Sequence, residues 1–336
     1  MSEIHMIFGT GPLGQSVLQE LLRRGKTVRM ANRSGNGPDG IPAEVEVIGG
    51  DAFNTDFTRQ AARGAAVVYQ CAQPDYAEWT TKFVPLQNAI LEGAAAAGAK
   101  LIIGDNLYMY GEVNGLIHED LPYVAVTRKG KARAEAARQV LAAHQTGKVR
   151  AAIGRASDFF GPGVLDSACG DRMFLPALQG KAAQGLGDLD APHTYSFIDD
   201  FGKGLVILGE HDAALGQVWH IPNAEPVSTR RFIELIFENL GQPVKIKSLG
   251  RMMMAIGGLF IPAARESLEM MYEFEKPFLV DSSKFARAFG DHATPLNEAI
   301  HQTVAWYRQH ADARKLAVSR LALGAIPASA PATSRF

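Results

Sequence analysis

Cysteine is nearly absent from this 336-residue chain, with Cys71 and Cys169 the only two. They allow no disulfide framework and no metal-ligand spacing, and each reads as a small buried apolar side chain in a reducing compartment. The nine histidines show neither H-x-H nor H-E-x-x-H spacing, so no protein-held metal is expected. Long hydrophobic runs are missing too. The longest, 252–264, carries two glycines and a proline and is too short to span a bilayer. No leader pattern precedes the first strand, so the expected location is cytoplasmic, with no membrane partner. Charge of one sign is also lacking. The formal net charge is −1, and no dense basic cluster interleaved with aromatics appears, which excludes the electrostatic footprint of a nucleic-acid binder. What remains is a chain with 47% hydrophobic residues, enough to bury one large core or two moderate ones.

The most informative stretch is His5-Met6-Ile7-Phe8-Gly9-Thr10-Gly11-Pro12-Leu13-Gly14, an apolar run that breaks into glycines and continues as an amphipathic segment. It predicts a strand, a tight turn and a helix. Gly9 allows the turn, Gly11 lets a pyrophosphate approach the backbone, and Gly14 lets the helix lie on the strand. Pro12 suits the first helical turn, where an amide hydrogen would have no partner. Gly9, Thr10, Gly11, Pro12, Leu13 and Gly14 are therefore the expected cradle of a dinucleotide.

The residues after the second strand choose between the nicotinamide cofactors. An acidic side chain there would hold the ribose hydroxyls, whereas an arginine accommodates a 2′-phosphate. The sequence reads Asn32-Arg33-Ser34, without a carboxylate and with a guanidinium, which favours NADP(H). Further strands are expected over 44–48, 66–69, 100–103, 149–153, 193–198 and 217–221. Helices are expected over 79–97, 127–145, 201–209, 228–240 and 296–310, with Ser228 as an N-cap and Gly241 as a stop. This rhythm predicts an α/β fold with a Rossmann-type, doubly wound parallel sheet and a smaller C-terminal substrate-binding lobe. The expected division is a dinucleotide domain over 1–160 that also receives strands from about 193–221, a mainly substrate-binding lobe over 161–316, and a low-complexity tail over 317–336.

The order of motifs resembles the extended short-chain dehydrogenase/reductases, which include the NAD-dependent epimerases and dehydratases. Its carriers are the glycine turn, Gly50-Asp51, Met109-Tyr110-Gly111, Lys131-x-x-x-Glu135 and Gly154-Arg155. Phe160-Gly161-Pro162-Gly163, the run 195–200, Ile221-Pro222-Asn223 and Asp281-Ser282-Ser283-Lys284 complete the set. The resemblance spans most of the chain from about Ile4 to about His310. It implies that Asp51 and Ala52 meet the adenine end, that Cys71, Ala72 and Gln73 line the dinucleotide, and that Lys131 holds the nicotinamide ribose. The first glycine of the family's G-x-x-G-x-x-G is Phe8 here, with Gly9 restoring the general Rossmann form. The resemblance also implies a homodimer through the helices over 79–97 and 127–145.

Two departures fall on the chemistry. Asn106 stands where the family has a serine, and Thr127 stands four residues before Lys131, where it has its acid-base tyrosine. A tyrosine lowered by a nearby ammonium can shuttle a proton, whereas threonine is a far weaker acid. Asn106 can still donate an amide hydrogen to a developing oxyanion. Lys131 can donate directly or through a water held by Thr127, and Tyr108 or Tyr195 is an alternative donor. The methionine-rich segment around Met253 and the absence of an arginine among 185–200 favour an apolar substrate over a sugar nucleotide. Tyr195, His193, Asn106 and Met253 are the expected substrate contacts. The function expected is an NADP(H)-dependent oxidoreductase acting on a small apolar carbonyl or alcohol. The alternatives are a redox sensor that binds the dinucleotide without turnover, and a nucleotide-sugar epimerase or dehydratase.

Overall fold

The computed structural model describes residues 3–38, 40–259 and 262–323. Seven strands form one parallel sheet: β1 (Ile4–Phe8), β2 (Thr27–Asn32), β3 (Glu46–Gly49), β4 (Ala65–Gln70), β5 (Lys100–Asp105), β6 (Arg150–Arg155) and β7 (Val218–His220). Their spatial order is β7-β6-β5-β4-β1-β2-β3, so the chain winds outward in both directions from the β1–β4 pair. A ligand crevice is expected at such a reversal, beyond the carboxyl ends of the strands. Apart from the edge strand β3, which is half-buried or exposed, the strands are short, largely buried, apolar runs, as a sheet covered on both faces requires.

Helices cover both faces. The chain forms α1 (Pro12–Arg23), α2 (Thr55–Ala61), α3 (Trp79–Ala97), α4 (Arg128–Gln145), α5 (Asp171–Leu178), α6 (Ile198–Glu210), α7 (Thr229–Leu240), α8 (Arg251–Gly258), α9 (Pro262–Ser267), α10 (Ser283–Phe289) and α11 (Leu296–Leu323). On one face Val17, Leu18 and Leu21 of α1 join Phe201, Leu205 and Leu208 of α6 in a single core with Ile7 and Ile102. On the other, Ile90 and Ala94 of α3 and Ala137 and Val140 of α4 close over Val68, Leu101 and Ala151. The small residues matter to this packing. A Cβ on Gly93 of α3 would fall 2.7 Å from the Thr58 carbonyl oxygen of α2.

A third core lies beyond the sheet. Phe174 of α5, Phe232 and Ile236 of α7 and Ile300, Val304 and Tyr307 of α11 enclose Phe160, Tyr195 and Phe197. A two-stranded parallel ribbon, Ala183–Leu186 with Ile246–Leu249, flanks this cluster.

Several boundaries differ from the sequence reading for physical reasons. The strand expected over 193–198 is two short pieces, Pro192–His193 and Tyr195–Phe197, pairing in different sheets, and α6 already begins at Ile198. The helix expected to end at 310 runs to Leu323, so the first residues of the expected tail are helical; residues 324–336 lie outside the described part. Helices α2, α5, α8, α9 and α10 carry too little periodicity over six to eight residues to be read in advance.

Candidate active site

The glycine turn behaves as its spacing requires. Gly9 sits at φ +105°, and a Cβ there would lie 2.7 Å from the Ala72 nitrogen, so this corner admits only glycine. Gly14 lets α1 touch the turn, since its Cβ would fall 2.0 Å from the Gly9 carbonyl oxygen. Gly11 is different: a Cβ there would meet nothing within 4 Å, so it faces open space. It is the N-cap of α1 with no side-chain hydrogen bond, Pro12 follows at the start, and the first turn carries no acidic residue. The unpaired amides and positive end of a twelve-residue helix thus point into that space, an arrangement that fits a dinucleotide's diphosphate.

Beyond β2, Asn32 is engaged within the protein. Its Nδ2 donates to Asn36 O at 2.7 Å and Thr10 Oγ1 at 3.1 Å, while its Oδ1 accepts from Gly35 N at 2.7 Å and Ser34 N at 3.1 Å. Expected as a cofactor ligand, Asn32 instead braces the turn that presents Arg33 and Ser34 to solvent. A cleft of about 440 Å³ opens there, lined by Arg33, Gly50, Asp51, Phe53 and Lys82. Asp51 Oδ1 accepts from Phe53 N at 3.0 Å. Cys71 and Ala72 follow β4 beside Gly9, and burial raises the Cys71 thiol, which removes any nucleophilic role.

At the end of β5 the buried carboxylate of Asp105 receives Arg133 Nη1 at 2.9 Å and Arg155 Nε at 3.4 Å. The Arg133 guanidinium lies 3.9 Å from the Trp79 ring centre and 3.7 Å from that of Phe83, and its Nη2 donates to Gln73 Oε1 at 3.3 Å. Gln73, expected to line the dinucleotide, is thereby tied to α4. Next comes Asn106, whose Oδ1 accepts from Tyr108 N at 3.2 Å. Its Nδ2 has no partner among the described residues, so it keeps two hydrogens to donate.

Helix α4 meets this loop directly. A Cβ on Gly130 would lie 2.6 Å from Tyr108 O. Thr127 is the N-cap of α4, with Oγ1 accepting from Gly130 N at 3.1 Å. That cap gives the threonine a structural reason to stand where the resemblance expects tyrosine. Lys131, one turn later, is exposed and forms no side-chain hydrogen bond or ion pair with described residues. Lys129, two residues earlier on the inward face, is fully buried between Glu266 Oε2 at 2.6 Å and Glu269 Oε1 at 3.1 Å, with Nζ 4.5 Å from the Tyr76 ring centre. These contacts bind the start of α4 to the C-terminal segment.

That segment contributes Glu273, 2% exposed and without a hydrogen bond to any described residue. Burial, and secondarily Asp158, push its carboxyl well above the usual range. Burial also raises the Tyr108 hydroxyl well above its ordinary value, with Glu273, Tyr76 and Asp158 adding to the effect. This is the opposite of the activation a proton-shuttling tyrosine needs, so Tyr108 is not poised as the missing acid.

The expected substrate contacts divide. Asn106 stays at the strand ends. Tyr195, by contrast, is 4% exposed in the third core, with its hydroxyl 2.8 Å from Thr229 Oγ1. His193 is 2% exposed, its Nε2 lies 2.8 Å from Asp158 Oδ2, and its ring stacks on Phe274 and Phe278. Both are spent holding the lobe together. Met253 is 45% exposed on α8. Sequence reasoning missed Lys82, Phe53, Tyr76, Lys129, Arg133 and Glu273. The buried positions 129, 130, 133, 134, 137 and 140 repeat at helical spacing, a signal that would have put Lys129 and Arg133 on the inward face.

A dinucleotide turn on the central strand, a cleft beyond the carboxyl ends of β2 and β3 and the α4 start beside the β5 loop together mark a Rossmann-type nucleotide-binding fold. The chain belongs to the NAD-dependent epimerase/dehydratase family, whose profile matches residues 6–221. A curated relative is the mouse sterol-4-alpha-carboxylate 3-dehydrogenase, decarboxylating, 28% identical over 255 residues that cover 70% of this chain and 68% of the relative. Similar solved structures include the dTDP-glucose 4,6-dehydratase of Streptomyces venezuelae with NAD bound, with a TM-score of 0.75, 16% identity and coverage of 92% of this chain and 98% of that one. The UDP-glucuronic acid 4-epimerase of Bacillus cereus in complex with NAD also matches with a TM-score of 0.75, at 19% identity over 91% of this chain and 99% of that one. Among the described residues no helix is long and apolar enough to cross a membrane.

Proposed function

We propose that the protein is an NADP(H)-dependent oxidoreductase acting on a small apolar carbonyl or alcohol. The observation that carries the reading is the α1 turn, where Gly11 opens onto free space at an uncapped helix start while Gly9 and Gly14 hold the corner. Arg33 on a braced turn, with no acidic residue in Asn32-Arg33-Ser34, supports a 2′-phosphate. The name of the mouse relative describes a dehydrogenase of a sterol carboxylate, and the apolar sterol skeleton of that substrate supports the apolar part of the reading.

When bound, the cofactor supplies or takes up hydride. Lys131 and Asn106 are the residues assigned to the chemistry, with Asn106 Nδ2 donating to the substrate oxygen and the Lys131 ammonium stabilising the alkoxide charge. Thr127 starts the helix that carries Lys131. Its hydroxyl oxygen is used as a cap, but its hydrogen remains free to orient a water. The expected homodimer through α3 and α4 remains part of the proposal.

One second reading has an observation in its favour. With Thr127 capping a helix and the Tyr108 hydroxyl raised, neither of these two hydroxyls is tuned as a proton donor, which suits a redox sensor that binds without turnover. Absorbance of the reduced nicotinamide, followed with a panel of apolar aldehydes, ketones and enones, separates the two. Oxidation of NADPH by wild type and its loss in Lys131→Met support the oxidoreductase. Tight binding with no oxidation on any substrate supports the sensor.

A further inference from the structure

The cleft beside β2 has two walls, and only one was expected to carry a cation. Arg33 projects from the turn braced by Asn32, exposed and without an ion pair to described residues. Lys82, one turn into α3, lines the same cleft. That start of α3 is fixed, since Trp79 is 6% exposed and its indole donates to Pro74 O at 3.0 Å. Lys82 Nζ lies 2.6 Å from Glu78 Oε1, which holds the ammonium in position while about half its surface faces solvent. Phe53, which also lines the cleft, is one of the few large apolar side chains left exposed among the described residues, at 39%.

Two cations and an exposed aromatic side chain lining about 440 Å³ at the carboxyl edge of β2 and β3 match the chemistry of an adenosine carrying a second phosphate. We infer that Lys82 is a specificity residue of the nucleotide site: with Arg33 it clamps the 2′-phosphate of the adenosine ribose from the α3 side, with Phe53 against the purine. The inference rests on the NADP(H) reading above and adds a second phosphate ligand to it. Glu78 sets the threshold. Without a phosphate it neutralises Lys82, and on binding it must share the ammonium, so a nucleotide lacking the 2′-phosphate gains nothing from this wall. The acidic groups facing the site are Glu78 and Asp51, and Asp51 is turned toward the Phe53 amide.

The test is calorimetric titration of the full chain with NADPH, NADH, adenosine 2′,5′-bisphosphate and AMP, for wild type, Arg33→Ala, Lys82→Gln and Glu78→Gln. Lys82 is half exposed, so melting curves of Lys82→Gln should match wild type. Expected are a wild-type preference for NADPH, a loss of about tenfold in the NADPH-to-NADH ratio in Lys82→Gln with NADH affinity unchanged, and a gain in NADPH affinity in Glu78→Gln. The bisphosphate should reproduce the Lys82 effect and AMP should not. If Arg33→Ala collapses the ratio and Lys82→Gln leaves it intact, the Lys82 role is overturned while the NADP(H) reading stands. Equal weakening of NADPH and NADH by Lys82→Gln would make it a prop of α3 and also overturns the inference. A wild type that does not prefer NADPH removes both.

Discussion

Alanine at Gly11 and alanine at Gly14 should separate the two tasks of the glycine turn. At Gly14 the new methyl would fall 2.0 Å from a backbone oxygen, that of Gly9, so α1 must lift off β1 and disturb the core of Val17, Leu18 and Leu21. Overpacking against backbone costs about 1–3 kcal/mol, roughly 1.5–4 °C in melting temperature for a chain of this size. At Gly11 nothing lies within 4 Å, and φ −72° with ψ −174° suits alanine. The small loss of N-cap preference is offset by the stiffer unfolded chain, leaving stability within about 0.5 kcal/mol of wild type. The methyl nevertheless occupies the space assigned to the diphosphate, so NADPH affinity should fall at least about tenfold, or 1.4 kcal/mol. Urea titration gives the first number and calorimetry the second. Wild-type NADPH affinity in Gly11→Ala would refute the argument, because the turn would then be a corner of the fold and not a cradle.

Three further outcomes follow from the site. Glu273 has a raised folded value, so the stability it confers is full below the unfolded carboxylate value and is lost as pH rises through the raised one. Glu273→Gln should therefore gain on wild type as pH climbs from about 5 to 8 in paired urea titrations, and parallel curves would contradict the burial argument. Lys129→Met removes the buried cation between Glu266 and Glu269 and leaves them only the exposed Arg128; with both partly exposed, the loss should be about 1–3 kcal/mol, with faster amide exchange over 266–274 as the local signature. Thr127→Ala should cost about 1 kcal/mol through the lost cap, and Thr127→Ser should restore it; equal melting curves for all three would remove the capping explanation.

The sheet was legible because its signals are local. Runs such as 66–69 and 100–103 end in glycine or polar residues, and the long helices over 79–97 and 127–145 are recovered within a residue. The turn was legible for the same reason, since three glycines at fixed spacing admit few conformations. The C-terminal half was harder to read. His193 and Tyr195 look like site residues in sequence, but their partners Asp158, Phe274, Phe278 and Thr229 come from distant segments, and only the fold shows that the lobe consumes them. Lys131 drew attention through its family spacing while Lys129 did not, although one helical wheel separates the exposed lysine from the buried one. Glu273 and Lys82 had no motif at all. Their meaning depends on what stands opposite them, and a linear pattern does not carry that.

We propose that this site moves hydride to or from an apolar substrate. The most direct measurement is transfer of deuterium from C4-labelled NADPH to apolar aldehydes, ketones and enones, read by mass spectrometry, with Lys131→Met alongside. Lys131 is exposed and has no side-chain partner among the described residues, so its loss should leave folding intact, and NADPH affinity is measured beside the label because Lys131 is also expected at the nicotinamide ribose. The account predicts label in a carbonyl-derived product with wild type and none with Lys131→Met. Label appearing equally with both would contradict the role given to Lys131, and no label from a protein that binds NADPH tightly would contradict the oxidoreductase itself.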